Sequence, residues 1–344
     1  MSSKSRESRT KIAMGLTSIL LAVGLLSACG SVGDNQEASS PEASASVSAP
    51  ANPSATASEA QEASEQPAHY PLAVTDELGH EVTIPAKPER VFAPVMEDSL
   101  LALGTMPVAV WSNGNQAHEY LQDKLADAQK VDFSGGIPAP ETIMSLKPDL
   151  IVLHNAYYAE NGVYEQYSKI APTYVFQNAA TDLTKSVGQL GRLLDKEGEA
   201  EKALADYRAK ADAAKAKLAP VTEGKKAAII RFNAKGMFFM NADYYSGYVL
   251  YQELGFAESE LVKGGAFEVS LEILPDLDAD YIFLVNDGNL GDAYLKELKE
   301  STLWQSVPAV REGRSYEVSG DHWLNGGIHA HGMVIDEVLG LLAP

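Results

Sequence analysis

Arg231 interrupts an apolar run, Ala227-Ala228-Ile229-Ile230-Arg231-Phe232. A buried strand rarely tolerates an unpaired charge, so this arginine either faces solvent from an edge strand or serves a ligand. Its guanidinium is a rigid fork of N–H donors that stays charged, which suits oxygens carrying partial negative charge. Aromatic side chains stand where other apolar runs end. Trp111 follows Pro107 to Val110; His154, Tyr157 and Tyr158 follow Leu150 to Leu153; Tyr244 and Tyr245 follow Gly236 to Met240. Tyr and Trp give flat apolar walls with a polar handle, and ligands of α/β sheets gather at the carboxyl ends of strands. For each of these aromatics, core packing is the competing role. This is the chemistry of holding a ligand.

Bond-breaking signatures are missing. The two His-Glu pairs, at His80 and His118, lack the second histidine of a zinc-protease helix. No nucleophile elbow, phosphate loop or dinucleotide fingerprint occurs. The seven histidines are scattered, which disfavours a metal-dependent surface enzyme or a protein binding bare metal ions. The stretch His322-Trp323-Leu324-Asn325-Gly326-Gly327-Ile328-His329-Ala330-His331 resembles a loose metal site. Residues two apart diverge on a helix, so these histidines are expected in solvated or helix-capping roles, with no metal held directly.

The elements that would position these residues alternate. A hairpin is predicted where Val74, Val82 and Ile84 flank Asp76-Glu77-Leu78-Gly79. Strands are predicted at Arg90–Val95, Pro107–Trp111, Leu150–Leu153 and near Tyr174, with short helices between them. From Asp182 to Leu218 the pattern is purely helical, and Leu204, Tyr207, Ala211 and Leu218 share one stripe. Alternation resumes after Pro220: a hairpin over Ala227–Met240, a helix capped by Ser246, a helix and strand over Val269–Val285, and a closing helix. The fold class is therefore α/β, with two α/β lobes built on parallel-type sheets with flanking helices and joined by a single long interdomain helix. The predicted boundaries are 68–198 for the first lobe, 199–219 for the helix and 220–344 for the second lobe.

Residues 1–28 read as an export signal. Lys4, Arg6, Arg9 and Lys11 precede the mostly apolar run Ile12–Leu26, which is short for a bilayer span. It ends in Leu26-Ser27-Ala28-Cys29, which resembles the lipobox of bacterial lipoproteins, where the cysteine takes the lipid. Cys29 is the only cysteine in the chain, so an internal disulfide is ruled out. Residues 29–67 are then the lipidated cysteine and a disordered acidic Ala/Ser/Pro tether, with a typical span of about 30–35 Å. The net charge of −20 argues against nucleic acid and against docking on anionic lipid.

One phrase occurs twice. In Pro138–Leu153 and Glu268–Leu284, Glu141/Glu272, Leu146/Leu277, Asp149/Asp280, Ile151/Ile282 and Leu153/Leu284 are identical pairs. With Val74–Val91, Ser301–Val318 and Val334–Leu342, this phrase makes the body resemble the substrate-binding proteins of iron–siderophore ABC importers, a group that includes vitamin B12 and haem binders. The resemblance covers residues 70–344. It implies ligand capture between the lobes and delivery to a permease dimer with a cytoplasmic ATPase. It maps Glu141 and Glu272 onto glutamates that meet arginine pockets on that permease; an acid at a helix start also has a plain electrostatic reason to be there. It places Arg231 against the iron-bound oxygens and Trp323 in a loop facing the cleft, with core capping the competing role for Trp323, and it implies no resident cofactor. The ligand would be a ferric siderophore of hydroxamate type, because the expected cleft has few cations beside Arg231. Ferric citrate, catecholates and haem stay open. Gly326-Gly327 departs from the family's usual Gly-Pro, which implies a different ligand contact there, with His329 beside it. A monomer on the outer face of the membrane of a Gram-positive-type cell is expected. A stiff interdomain helix implies small hinge motion.

Overall fold

The computed structural model describes residues 69–343, apart from Asn115, Gly264 and Ala266. These residues belong to one compact unit, Ser64–Pro344. The signal segment, Cys29 and the tether lie outside the described residues.

The first lobe opens with the predicted hairpin, β1 (Leu72–Thr75) antiparallel to β2 (Glu81–Ile84). Asp76 sets its turn by accepting the backbone N–H groups of Leu78 and His80 at 3.0 and 2.8 Å. Next come β3 (Val91–Phe92), β4 (Val110–Ser112), β5 (Lys130–Asp132), β6 (Leu150–Leu153) and β7 (Thr173–Val175). Strands β3, β6 and β7 form a parallel sheet in that order, and β4 pairs in parallel with β5. All four residues of β6 are buried, as expected of a strand covered on both faces.

The second lobe holds β8 (Lys226–Asn233), β9 (Gly236–Met240), β10 (Ala257–Glu258), β11 (Phe267–Val269), β12 (Tyr281–Asn286) and β13 (Ser315–Val318). The order is β11-β9-β8-β12-β13, with β10 also on β8. The pairs β10–β8, β8–β12 and β12–β13 are parallel, whereas β9 and β11 extend the sheet antiparallel. Ser246 does not cap the helix after β9. Tyr244 occupies that position, Ser246 lies buried inside, and the following turns, Tyr248–Glu253, are a π-helix.

The bridging helix runs Glu197–Thr222, longer at both ends than the predicted 199–219. Pro220 does not end it: Glu223 N–H still reaches the Ala219 carbonyl at 3.1 Å. A proline removes only its own N–H, and here that loss falls in the last turn. The preceding helix, Leu183–Leu194, is capped by Asp182 and crosses the bridging helix closely. A Cβ on Gly191 would lie 2.6 Å from the Ala200 methyl carbon, so only glycine permits this crossing. The largest core cluster runs without a break from Val91 and Leu150, through Leu204, Tyr207 and Leu218, to Ile229 and Phe283. A smaller core belongs to each lobe alone. The lobes are thus fused by shared packing along the helix as well as by the chain.

The repeated phrase builds equivalent units. Ile143 and Leu274, Leu146 and Leu277, and Ile151 and Ile282 are buried counterparts. The first helix is α-helical over Pro140–Ser145, whereas the second, Leu271–Asp276, carries Pro275 and is wound as a 3-10 helix. The shared aspartate has a structural role. Asp149 accepts the N–H groups of Glu89 and Arg90 just before β3, and Asp280 accepts that of Lys226 at the start of β8. Each carboxylate pins the beginning of the neighbouring parallel strand.

Candidate functional site

The strands of both lobes point their carboxyl ends at one cleft of about 520 Å³. From the first lobe come Trp111 on β4, Gln116, His118, Glu119, His154 just after β6, and Tyr158. From the second come Arg231 on β8, Tyr245, Asn286 and Asp287 at the end of β12, and Ser319, Asp321 and Asn325 after β13.

The first-lobe wall is an aromatic stack on a buried acid. Trp111 lies face to face with His118, with centroids 5.2 Å apart, and Tyr120 meets His118 by its edge at 5.9 Å. Beneath them Glu97 has no exposed surface. One of its oxygens accepts the Trp111 backbone N–H at 2.6 Å, and the other lies 3.4 Å from His118 Nε2. Burial opposes charge on His118, but the Glu97 carboxylate beside it outweighs this and raises the imidazole pKa. His154 goes the other way: burial lowers it to about 4, so the ring is neutral at pH 7. It packs on the edge of Tyr158 at 4.4 Å. Burial raises the Tyr158 phenol to about 12, so it remains a hydrogen-bond donor.

The second-lobe wall centres on Arg231, whose guanidinium is paired through Nη2 with Asp287. Tyr245 lies beside it, held at φ 32°, a backbone conformation that a bulky residue adopts only under constraint.

Two carboxylates sew the lobes together at the edge of this cleft. Asp98, 2 % exposed, accepts the N–H groups of His329 and Ala330 at 2.9 and 2.8 Å. It therefore caps the closing helix, Ile328–Leu342, from the opposite lobe. Burial raises the Asp98 pKa, and the His329 charge and the two N–H groups offset this in part. In return Asp321 accepts the N–H groups of Glu119 and Tyr120 at 3.1 and 2.5 Å. A Cβ on Gly327, at φ 119°, would lie 2.3 Å from Asp98 Cγ. Glycine at this position admits Asp98, and the ligand contact expected there is not needed to account for it.

The cleft gathers Arg231, Tyr245, Tyr158, His154 and Trp111. Other predicted residues lie elsewhere. Trp323 has no exposed surface: its ring packs on Phe283 at 5.1 Å and its N–H donates to Glu337 at 2.7 Å. It is a core residue, because the short helix Gly320–Trp323 turns it inward. Tyr157 is 64 % exposed and Tyr244 39 %, and neither lines the cleft. The His329 ring sits at the seam, 3.5 Å from Lys124 Nζ. His322 bonds Glu337 at 2.9 Å, and His331 is buried against Tyr248, so the histidine-rich stretch does not converge. His331 is not solvated as expected; burial lowers it to about 4. Glu141 and Glu272 are both exposed.

Sequence reasoning missed Glu97, Asp98, His118, Glu119, Asp287 and Asp321. Asn286 and Asp287 follow the apolar run of β12 directly, and the strand-end rule that found His154 would have found them. The capping aspartates leave no such local mark.

Against known proteins, the profile described as periplasmic binding protein matches residues 96–321. The chain belongs to this family. It is 32% identical over 248 residues to the iron(3+)-hydroxamate-binding protein YxeB of Bacillus subtilis, covering 68% of this chain and 74% of that one. It is 27% identical over 300 residues to the probable siderophore-binding lipoprotein YfiY of the same organism, covering 82% and 90%. Among solved structures, Staphylococcus aureus SirA complexed with staphyloferrin B superposes with a TM-score of 0.68 at 27% identity, over 78% of this chain and 97% of that one. SirA and this chain share one fold.

Proposed function

We propose that this protein captures a ferric siderophore, hydroxamate type favoured, between its lobes and delivers it to an ABC permease. The observation that carries this reading is the composition of the cleft: aromatic faces, amide side chains and one guanidinium at the strand ends of both lobes. A ferric siderophore brings iron already wrapped in oxygen ligands, so its binder needs walls and donors rather than metal-ligating side chains. The names of YxeB and YfiY support the same class. Lipid on Cys29 would hold the protein, as a monomer, on the outer face of the membrane, and the tether would let it reach the permease.

The first test is a fluorescence titration with ferric complexes. Trp111 is half-buried on the cleft, whereas Trp304 and Trp323 are core residues. Saturable quenching that disappears in Trp111→Phe, while filtration still shows bound iron complex, is the expected result; no saturable binding of any ferric complex would refute the reading. The second test concerns delivery. Glu141 and Glu272 are exposed at equivalent points of the two repeated units. Glu141→Ala combined with Glu272→Ala is expected to abolish uptake by whole cells at unchanged ligand affinity. Uptake at the wild-type rate would remove both residues from the docking surface.

A further inference from the structure

We infer that Asp287 sets the charge of the complex that the cleft accepts: by holding Arg231 as an internal pair it leaves the cleft net acidic, selecting cationic or neutral ferric complexes over anionic ones. This deepens the function proposed above and rests on it.

Three observations carry it. First, Asp287 is built to hold the arginine. It follows β12, which lies beside β8 in parallel with Val285 opposite Arg231. Its backbone N–H donates to the Phe232 carbonyl at 2.9 Å, and its own carbonyl accepts from Leu290. The turn is locked again by Gly291 N–H on Asn286 Oδ1 at 3.0 Å. A Cβ on Gly291 would lie 2.3 Å from Phe232 Cβ, so this turn cannot drift away from the strand that carries Arg231. The carboxylate is therefore placed before any ligand arrives, and a charge-assisted arginine–carboxylate contact is the strong kind.

Second, nothing replaces the cation so neutralised. Among the described residues that line the cleft, the other permanently charged groups are Glu119 and Asp321, both acids. His154 is neutral, and His118 is matched by Glu97 beneath it. Third, the whole chain carries −20, so the long-range field has the same sign as the cleft. An anionic complex such as a tris-catecholate or ferric citrate would meet Glu119, Asp287 and Asp321 with only an already paired arginine to offset them. A tris-hydroxamate neutralises the iron charge, and one with a free amine is cationic. Such a complex meets the acids without displacing the pair.

The test measures dissociation constants of the full chain for ferrioxamine B (cationic), ferrichrome (neutral) and ferric citrate (anionic) at low and high salt. Wild type should bind the first two more tightly than the third, with preference for the cation weakening as salt rises. Asp287→Asn frees Arg231 and should shift the cation-to-anion affinity ratio toward the anion by about tenfold or more. Asp287→Glu, which keeps the charge, should leave the ratio near wild type and guards against a folding defect. Tighter binding of ferric citrate by wild type overturns the inference while preserving the proposed function, as does an equal gain for all three complexes in Asp287→Asn. Binding of none of the three overturns the proposed function and the inference with it.

Discussion

The rear of the cleft and its mouth are built from the same kinds of residue put to opposite uses. At the rear, Asp98, Trp323 and Glu337 are hydrogen-bonded internally, and His331 is buried among the packed helices with neither ring nitrogen hydrogen-bonded. At the mouth, Trp111, Tyr158, Glu119, Asp287 and Asp321 keep part of their surface on the open cavity. A carboxylate sews the lobes in both places, but Asp98 is sealed from water and Asp321 is not. The difference teaches that the aromatic and charged composition of the two regions does not identify the binding surface. What separates them is whether a side chain spends its hydrogen bonds and faces on the protein or leaves them available.

The strongest way to break that contrast is Trp323→Ala. Truncating a fully buried tryptophan should cost about 3–5 kcal/mol and lower the melting temperature by about 10 °C, with ligand affinity in the remaining folded protein within about twofold of wild type. Calorimetry and titration together read this. A collapse of affinity at an unchanged melting temperature would move Trp323 to the mouth.

Acid should expose the buried histidines next. His154 and His331 are lowered to about 4 by burial, against an ordinary value of 6.5. Between those values the unfolded chain binds more protons than the folded one, so stability is lost as pH falls from 6.5 toward 4, by up to about 3 kcal/mol per histidine. Asp98, raised by burial, works in the opposite sense. The clean readout is therefore the difference between wild type and His331→Phe in denaturant titrations at pH 7 and 4.5, with the variant expected to lose less. An identical loss would mean that His331 is charged in the fold.

Comparing the two lobe-sewing aspartates should give a graded result. Asp98→Ala leaves two buried N–H groups without an acceptor and should cost about 1–3 kcal/mol. It should also loosen the seam, seen as a larger radius of gyration by small-angle scattering. Asp321→Ala, on the wetter side, should cost about 0.5–1 kcal/mol. Equal costs would erase the distinction between rear and mouth.

Much of this was legible in the sequence. The hairpin around Asp76–Gly79, the buried strands Leu150–Leu153 and Tyr281–Asn286, and the long helix carrying Leu204, Tyr207 and Leu218 all follow from local periodicity. The strand-end rule placed His154, Tyr158 and Trp111 on the cleft, and the charge inside an apolar run singled out Arg231. Trp323 misled because a tryptophan beside a glycine-rich turn reads the same whether it faces in or out. The repeated aspartates Asp149 and Asp280 were noticed as part of a repeat, but their work of pinning strand starts needed the neighbouring strand to be seen.

The sequence by itself determined the elements and their alternation, because helix and strand periods are set by residues within a few positions of one another. It also determined the two repeated units with their shared glutamates. Only the tertiary structure decided which partner each charge takes. Arg231 meets Asp287 across 56 positions, and Asp98 caps Ala330 across 232. Such pairs arise from how sheets register and lobes close, and neither leaves a periodic trace in the chain.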